Sequence, residues 1–229
     1  MFNTAIITAS GSGKRLPGAV RKQFRLLNNC PIIYHTIDRF INHPQVSHII
    51  ITLPQDDMEE AGKALLEEYG EEKITLCAGG KERQDSVLNA LEIVSDDTDF
   101  VLIHDAVRPF ITDDLITLLL DLAMKFGGAI PVSHVKNTIK TVTNGLVNET
   151  IPREKLFSVH TPQVFRYRKL LELHRKAKYM EEYFTDDASI FEYFQEPVAV
   201  LVTDINNIKI TDSLDLAFAE FLMRGNKLE

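Results

Sequence analysis

The residues best suited to chemistry lie near the start of the chain. A short apolar run, Ala5-Ile6-Ile7, gives way to Ser10-Gly11-Ser12-Gly13 and then to Lys14 and Arg15. Arg21, Lys22 and Arg25 follow soon after. Glycines let a backbone turn tightly and approach a ligand closely. Exposed N–H groups beside cations make a site for phosphate. The spacing therefore reads as an anion cradle at the end of a first strand. Two standard phosphate signatures fail here. A P-loop needs Gly at position 8 and Ser or Thr at 15, where the chain has Thr8 and Arg15. The dinucleotide fingerprint needs a third glycine where Leu16 stands.

Three further clusters carry groups that could meet a ligand. Gly79-Gly80-Lys81-Glu82-Arg83-Gln84-Asp85-Ser86 is a turn leading into a helix expected to begin near Asp85. Its first amides and Ser86 could bind a polar ligand edge. His104-Asp105-Ala106-Val107-Arg108-Pro109 follows the apolar run Phe100–Ile103. There an Asp and an Arg could contact a sugar hydroxyl, a metal or a phosphate, or pair with each other. His104 reads as packed and hydrogen-bonded rather than catalytic. Asn206-Asn207-Ile208-Lys209-Ile210-Thr211 sets a lysine between apolar residues, which reads as a strand end pointing at a site.

These clusters need elements to bring them together. Strands are expected at Thr4–Thr8, His48–Leu53, Lys73–Cys77, Phe100–His104, Gly128–Val132 and Val198–Val202. Helical periodicity covers Pro31–Phe40, Asp56–Tyr69, Asp85–Val94, Asp113–Met124, Arg168–Lys178, Asp186–Tyr193 and Ser213–Leu222. Near-continuously apolar strands alternating with helices imply a mostly parallel sheet covered on both faces. In such sheets ligands bind beyond the carboxyl ends of the strands. Residues 133–162 break the rhythm. Thr138–Val142 and Leu146–Thr150 are β-prone, and Thr143-Asn144-Gly145 between them signals a hairpin turn. We read one domain over residues 1–229 with this segment as a projecting β-arm used for dimerisation.

Bulk composition excludes several classes. With 25 Lys+Arg against 33 Asp+Glu the formal charge is −8, unlike the basic balance of a nucleic-acid binder. No apolar run approaches the roughly 18 residues needed to span a membrane. The start lacks the features of a signal peptide. The two cysteines, Cys30 and Cys77, have no CxxC spacing and suit a reducing compartment. A cytoplasmic location is the expectation.

Taken in order, ITASGSGKRL, RKQF, GGKERQDSV, HDAVRPF, TIK, TPQVF, TDDAS and NIKIT resemble the cytidylyltransferases that act on 2-C-methyl-D-erythritol 4-phosphate. The resemblance runs from Ala5 to Glu220. It implies transfer of CMP from CTP to the methylerythritol phosphate in isoprenoid precursor synthesis, with diphosphate released. It implies a Rossmann-like α/β fold of the nucleotide-diphospho-sugar transferase type, a homodimer locked by the arm, and Mg²⁺ held mainly by CTP phosphates, with Asp105 as a further contact. It gives Arg15 and Lys22 the task of stabilising charge at the α-phosphate, and Arg153 and Lys209 that of aiming the attacking phosphate. Ala9, Ser10, Gly11, Gly13, Gly80, Ser86, Asp105 and Ala106 match nucleotide contacts. Arg108, Thr138 and Thr161 match substrate contacts, with Arg153 and Thr161 reaching into the neighbouring subunit.

The chain departs from that pattern in places. Thr8 stands where Pro or Leu is usual, Ser10 where Ala is usual, and Arg21 where Pro is usual. Lys81 replaces an acidic residue of some members. Arg21 loses a rigid turn and gains a cation next to Lys22. Three other readings compete: a ribitol 5-phosphate cytidylyltransferase, a dinucleotide-binding oxidoreductase, and a non-catalytic nucleotide-binding regulator. The absent third glycine and the basic loop weigh against the second.

Overall fold

The computed structural model describes residues 1–11, 20–203 and 207–225. Its elements run β1 (Asn3–Thr8), β2 (Leu26–Leu27), β3 (Cys30–Pro31), α1 (Ile32–Ile41), β4 (His48–Leu53), α2 (Glu60–Tyr69), β5 (Ile74–Ala78) and α3 (Arg83–Leu91). Then come β6 (Phe100–Asp105), α4 (Asp113–Phe126), β7 (Gly128–His134), β8 (Ile139–Thr143), β9 (Leu146–Ile151), β10 (Phe157–Val159) and β11 (Gln163–Arg166). The last are α5 (Tyr167–Tyr179), α6 (Asp187–Tyr193), β12 (Ala199–Val202) and α7 (Ser213–Met223).

The strands β5, β4, β1 and β6 lie side by side, all parallel. Their apolar runs read in both directions because both faces are covered. Ala5, Ile7, Ile49, Ile51 and Leu102 face one core with α1, α2 and α4. Ile6, Ile50, Val101 and Ile103 face another with α3, α5 and α6. The period-2 alternation of a strand divides each run between the two cores. The mostly parallel sheet covered by helices thus holds as expected. No helix among the described residues is long and apolar enough to cross a membrane.

Beyond β6 the order departs from a simple parallel series. Strand β11 runs antiparallel between β6 and β7. Strand β10 continues the same track along β7, pairing Phe157 with His134 and Val159 with Val132. Strand β12 lies parallel on the other side of β7. The segment 133–162 is therefore not all arm. Its last residues, Phe157–Val159, are hydrogen-bonded into the main sheet, and Ser133 and His134 belong to β7. What stands apart is the hairpin β8–β9, a separate two-stranded sheet whose residues are mostly exposed. Asn144 and Gly145 both take positive φ there, as the Asn-Gly signal predicts.

Helix boundaries shift for identifiable reasons. Helix α3 starts two residues early because Glu82 and Asp85 close a capping box around its first turn. Helix α2 starts late because Gln55–Asp57 winds into a separate 3₁₀ turn. Lys209 sits on irregular chain beyond β12, not on a strand end.

Candidate active site

The carboxyl ends of β1, β5 and β6 open into one cleft of about 280 Å³. Its floor begins where β1 stops. The Ala9 N–H donates to the Thr52 carbonyl at 3.0 Å, carrying the strand pairing one residue further. The buried Gln23 amide donates to the Ala9 carbonyl at 2.7 Å and ties the far side of the loop back to the sheet. Lys22, just before it, opens a 3₁₀ turn and lines the cleft. Arg15 and Gly13, the other expected loop residues, lie outside the described residues.

The wall opposite is the turn after β5. Ser86, on the first turn of α3, is a hub. Its Oγ accepts from the Gly80 N–H at 3.0 Å and from the Ser10 hydroxyl at 2.8 Å, and donates to the Glu82 carbonyl at 3.1 Å. This close knitting leaves no room for side chains on the two glycines. A Cβ on Gly79 would lie 2.2 Å from the Ser10 Cβ, and one on Gly80 would lie 2.3 Å from the Asp85 Cβ. The Gly-Gly pair is thus required by close approach, and Ser10 joins the wall to the floor.

The end of β6 supplies the charge. Asp105 is nearly buried and meets three cations. Lys209 Nζ lies 2.8 Å and Arg108 Nε 3.3 Å from its Oδ2, and Arg83 Nε lies 3.8 Å from Oδ1. The Thr8 hydroxyl donates to Oδ1 at 3.4 Å and to the His104 carbonyl at 3.2 Å. Burial alone would raise the Asp105 pKa. Lys209, Arg83 and Arg108 more than offset it and hold the carboxyl far below the usual range. Arg83 also reaches Asp187 at the start of α6, at 2.8 Å. Its pKa is raised because the two carboxylates outweigh its burial. Asp187 in turn meets the buried His174 Nε2 at 3.1 Å.

The expected site residues that are described divide into three sets. Ala9, Ser10, Gly11, Lys22, Gly80, Ser86, Asp105, Ala106 and Lys209 all line the cleft. Arg108 and Thr161 lie behind it. The Arg108 guanidinium is buried, bonded to the Asn207 carbonyl at 2.9 Å and His160 Nδ1 at 3.1 Å besides Asp105. The Thr161 Oγ1 is buried and accepts from the Asp105 N–H at 3.1 Å. Both thus hold Asp105 from the rear, and neither lines the cleft. Thr138 and Arg153 are exposed on the arm segment, where Arg153 Nη1 donates to the Lys136 carbonyl at 2.5 Å.

His104 is buried and neutral. Its Nε2 donates to the Arg108 carbonyl at 3.0 Å, and its Nδ1 faces the Thr161 hydroxyl at 3.0 Å. A carbonyl only accepts, so Nε2 carries the proton and Nδ1 accepts from Thr161. Burial lowers its pKa to about 4, with the Arg108 and Lys209 cations adding to that, against the Arg108 carbonyl and Asp105.

The sequence reading missed Arg83 and its partner Asp187. Arg83 sits within the Gly-Gly cluster, and the doubled acid Asp186-Asp187 opens a helix. Nothing in the sequence joins the two, because α3 and α6 meet only in three dimensions. Among the described residues no group of three or more His, Cys, Asp or Glu could hold a metal ion.

A cationic cleft walled by a Gly-Gly turn, at the carboxyl ends of a mostly parallel covered sheet, suits a nucleotidyltransferase. The solved structures agree. The 4-diphosphocytidyl-2C-methyl-D-erythritol synthase of Anaerococcus prevotii matches with a TM-score of 0.85 and 29% identity, covering 97% of this chain and 98% of that one. The 2-C-methyl-D-erythritol 4-phosphate cytidylyltransferase of Thermus thermophilus matches with a TM-score of 0.78 and 28% identity, over 96% and 98%. Enzymes named 2-C-methyl-D-erythritol 4-phosphate cytidylyltransferase are 40% identical in Bacillus thuringiensis, over 98% of this chain and 99% of that one, and 38% identical in Clostridium botulinum, over 96% and 97%. The model of the 2-C-methyl-D-erythritol 4-phosphate cytidylyltransferase family matches residues 3–225, and the chain belongs to that family.

Proposed function

We propose that this chain joins CTP and 2-C-methyl-D-erythritol 4-phosphate to give 4-diphosphocytidyl-2-C-methyl-D-erythritol and diphosphate. The observation that carries this is the gathering of Lys22, Arg83 and Lys209 around one cleft. The attacking group is the sugar-alcohol phosphate, whose second pKa is about 6, so it is largely a dianion at neutral pH. It needs no general base, which suits a site whose buried histidine, His104, is neutral and held by its neighbours. The obstacle is two polyanions meeting. Catalysis is then positioning plus charge neutralisation around an in-line displacement at the α-phosphorus.

In this reading Arg15 and Lys22 stabilise charge at that phosphorus. The Ala9–Gly13 backbone, Gly80 and Ser86 hold the nucleotide, and Asp105 with Ala106 holds the ribose. Lys209 receives the substrate phosphate. Arg108 and Thr161 serve by fixing Asp105. Thr138 and Arg153 complete the neighbouring subunit's site in a homodimer formed through the arm. The exposed Val142, Leu146 and Val147 on the hairpin support that assembly. A cytoplasmic enzyme is part of the same reading.

Magnesium fits in one way. Asp105 Oδ2 is engaged by Lys209 and Arg108, while Oδ1 has only longer contacts, to Thr8 and Arg83. Oδ1, the less tightly engaged oxygen, would be the one to hold a divalent ion, with phosphates and water supplying the rest. When bound, the ion would neutralise triphosphate charge.

Incubating the protein with CTP and each sugar phosphate tests the function. Diphosphate release with methylerythritol phosphate, and little with ribitol 5-phosphate, is expected. The reverse preference would move the chain to the ribitol reading, and no release with either would remove the catalytic one. Lys22→Ala should cut turnover by more than about tenfold with an unchanged circular dichroism spectrum.

A further inference from the structure

By sequence position Arg21 reads as one more cation for the phosphate cradle. Its side chain goes elsewhere. The Nε lies 2.9 Å from Asp57 Oδ2, and Nη2 lies 3.7 Å from Asp56 Oδ2. Both acids belong to the 3₁₀ turn Gln55–Asp57, just beyond the carboxyl end of β4. Asp57 Oδ2 is shielded from water and accepts no hydrogen bond among the described residues, so its compensation by Arg21 is one of charge, and the Arg21 and Asp57 side chains are 32% and 20% exposed. This is a partly buried ion pair rather than a solvated surface contact, and a shielded carboxylate left without its counter-charge is costly.

Its location gives it a task. Arg21 takes φ −61° and ψ 147° and immediately precedes the 3₁₀ turn that Lys22 opens. With Arg21 drawn toward the β4 turn, Lys22 is turned to the cleft that it lines. On the other side of Lys22, Gln23 is locked to the Ala9 carbonyl. Lys22 is therefore held between two anchors, one to β4 and one to β1. The φ of Arg21 also lies close to the value a proline ring imposes. The turn is kept while its restraint comes from charge. Asp56 and Asp57 would otherwise add uncompensated negative charge close to a site for polyanions.

We infer that Arg21 is a positioning residue, its ion pair with Asp57 fixing the presentation of Lys22 to the reacting phosphate. The inference rests on the cytidylyltransferase reading and on Lys22 acting in it. The test measures cytidylyl transfer by wild type, R21Q, K22A and R21Q/K22A. R21Q should lower kcat about fivefold with little change in the KM for methylerythritol phosphate. In the K22A background the same change should cost less than twofold, because Arg21 then has nothing left to present. D57N, which removes the other half of the pair, should reproduce the R21Q loss. Wild-type turnover in R21Q, or an equal loss from R21Q with and without Lys22, would overturn the inference. An inactive wild type would instead strike at the proposed function. A melting temperature for each variant separates these outcomes from unfolding.

Discussion

Asp105 keeps a negative charge in a place where burial alone would remove it. Three cations fix that charge, and each comes from a different stretch: Arg83 from α3, Arg108 from the turn after β6, and Lys209 from the chain beyond β12. Asp105→Asn leaves these cations facing a neutral amide. We expect it to cost about 3 kcal/mol at neutral pH, measured by urea unfolding, since one partner of a buried ionic cluster is removed. Transfer activity should fall with it. A variant as stable as wild type would show that the cations are solvated rather than bound to the carboxylate. Asp105, at the end of an apolar run, and Lys209, between apolar residues, stood out in the sequence by type and place, whereas Lys22 was told apart from Arg21 and Arg25 only by the family resemblance. Arg108 and Thr161 were singled out too, yet they lie behind the cleft. Residue type suggests what a group can do, but whether it faces solvent is decided by packing that no single stretch encodes.

Strand β11 is the element that packing decided. Its four residues, Gln163–Arg166, carry only a short apolar pair, Val164-Phe165, and follow the expected arm. They become a strand because β6 and β7 offer two open edges to the same backbone. The parallel strands β1, β4 and β6 were legible because each is a six-residue run apolar on both faces; β10 and β11 were not, because they are only three and four residues long and too short to show a period. At the head of β11, Thr161 links to β6 through His104. That link has a pH signature. The His104 pKa falls from 6.5 to about 4 in the fold, so the unfolded chain takes up a proton that the native one refuses. Stability from this residue is full above pH 6.5 and is lost as pH falls toward 4, by about 3 kcal/mol at about 1.4 kcal/mol per unit. His104→Asn should be less stable at pH 7 but should show a flatter fall in urea midpoint between pH 6.5 and 4.5. An unchanged slope would mean that other groups cause it.

At the scale of the molecule, a chain of net charge −8 concentrates cations at one cleft where the carboxyl ends of its parallel strands meet. That arrangement was legible as a whole, because strand–helix alternation dictates where loops converge. The hairpin was legible too, its strands to within a residue, though not the limits of the arm that carries it. Those limits have a consequence for how the molecule is assembled. His134 and Phe157, the last residues of the main sheet on either side of the excursion, are direct register partners, and such partners lie about 5 Å apart. The whole excursion therefore enters and leaves the sheet through a single doorway, narrow enough to be closed by a short turn. It is a detachable module. Replacing residues 136–155 with a two-residue turn should leave a protein that melts within a few degrees of wild type and, if the proposed homodimer forms through the arm, sediments as a monomer. Arg153 goes with the excised piece, so the role proposed for it predicts a steep drop in cytidylyl transfer. If the shortened protein turned over normally, the arm would have no part in the chemistry. The same doorway means that a single insertion or deletion could add or erase an oligomer contact while the nucleotide-binding body stays whole.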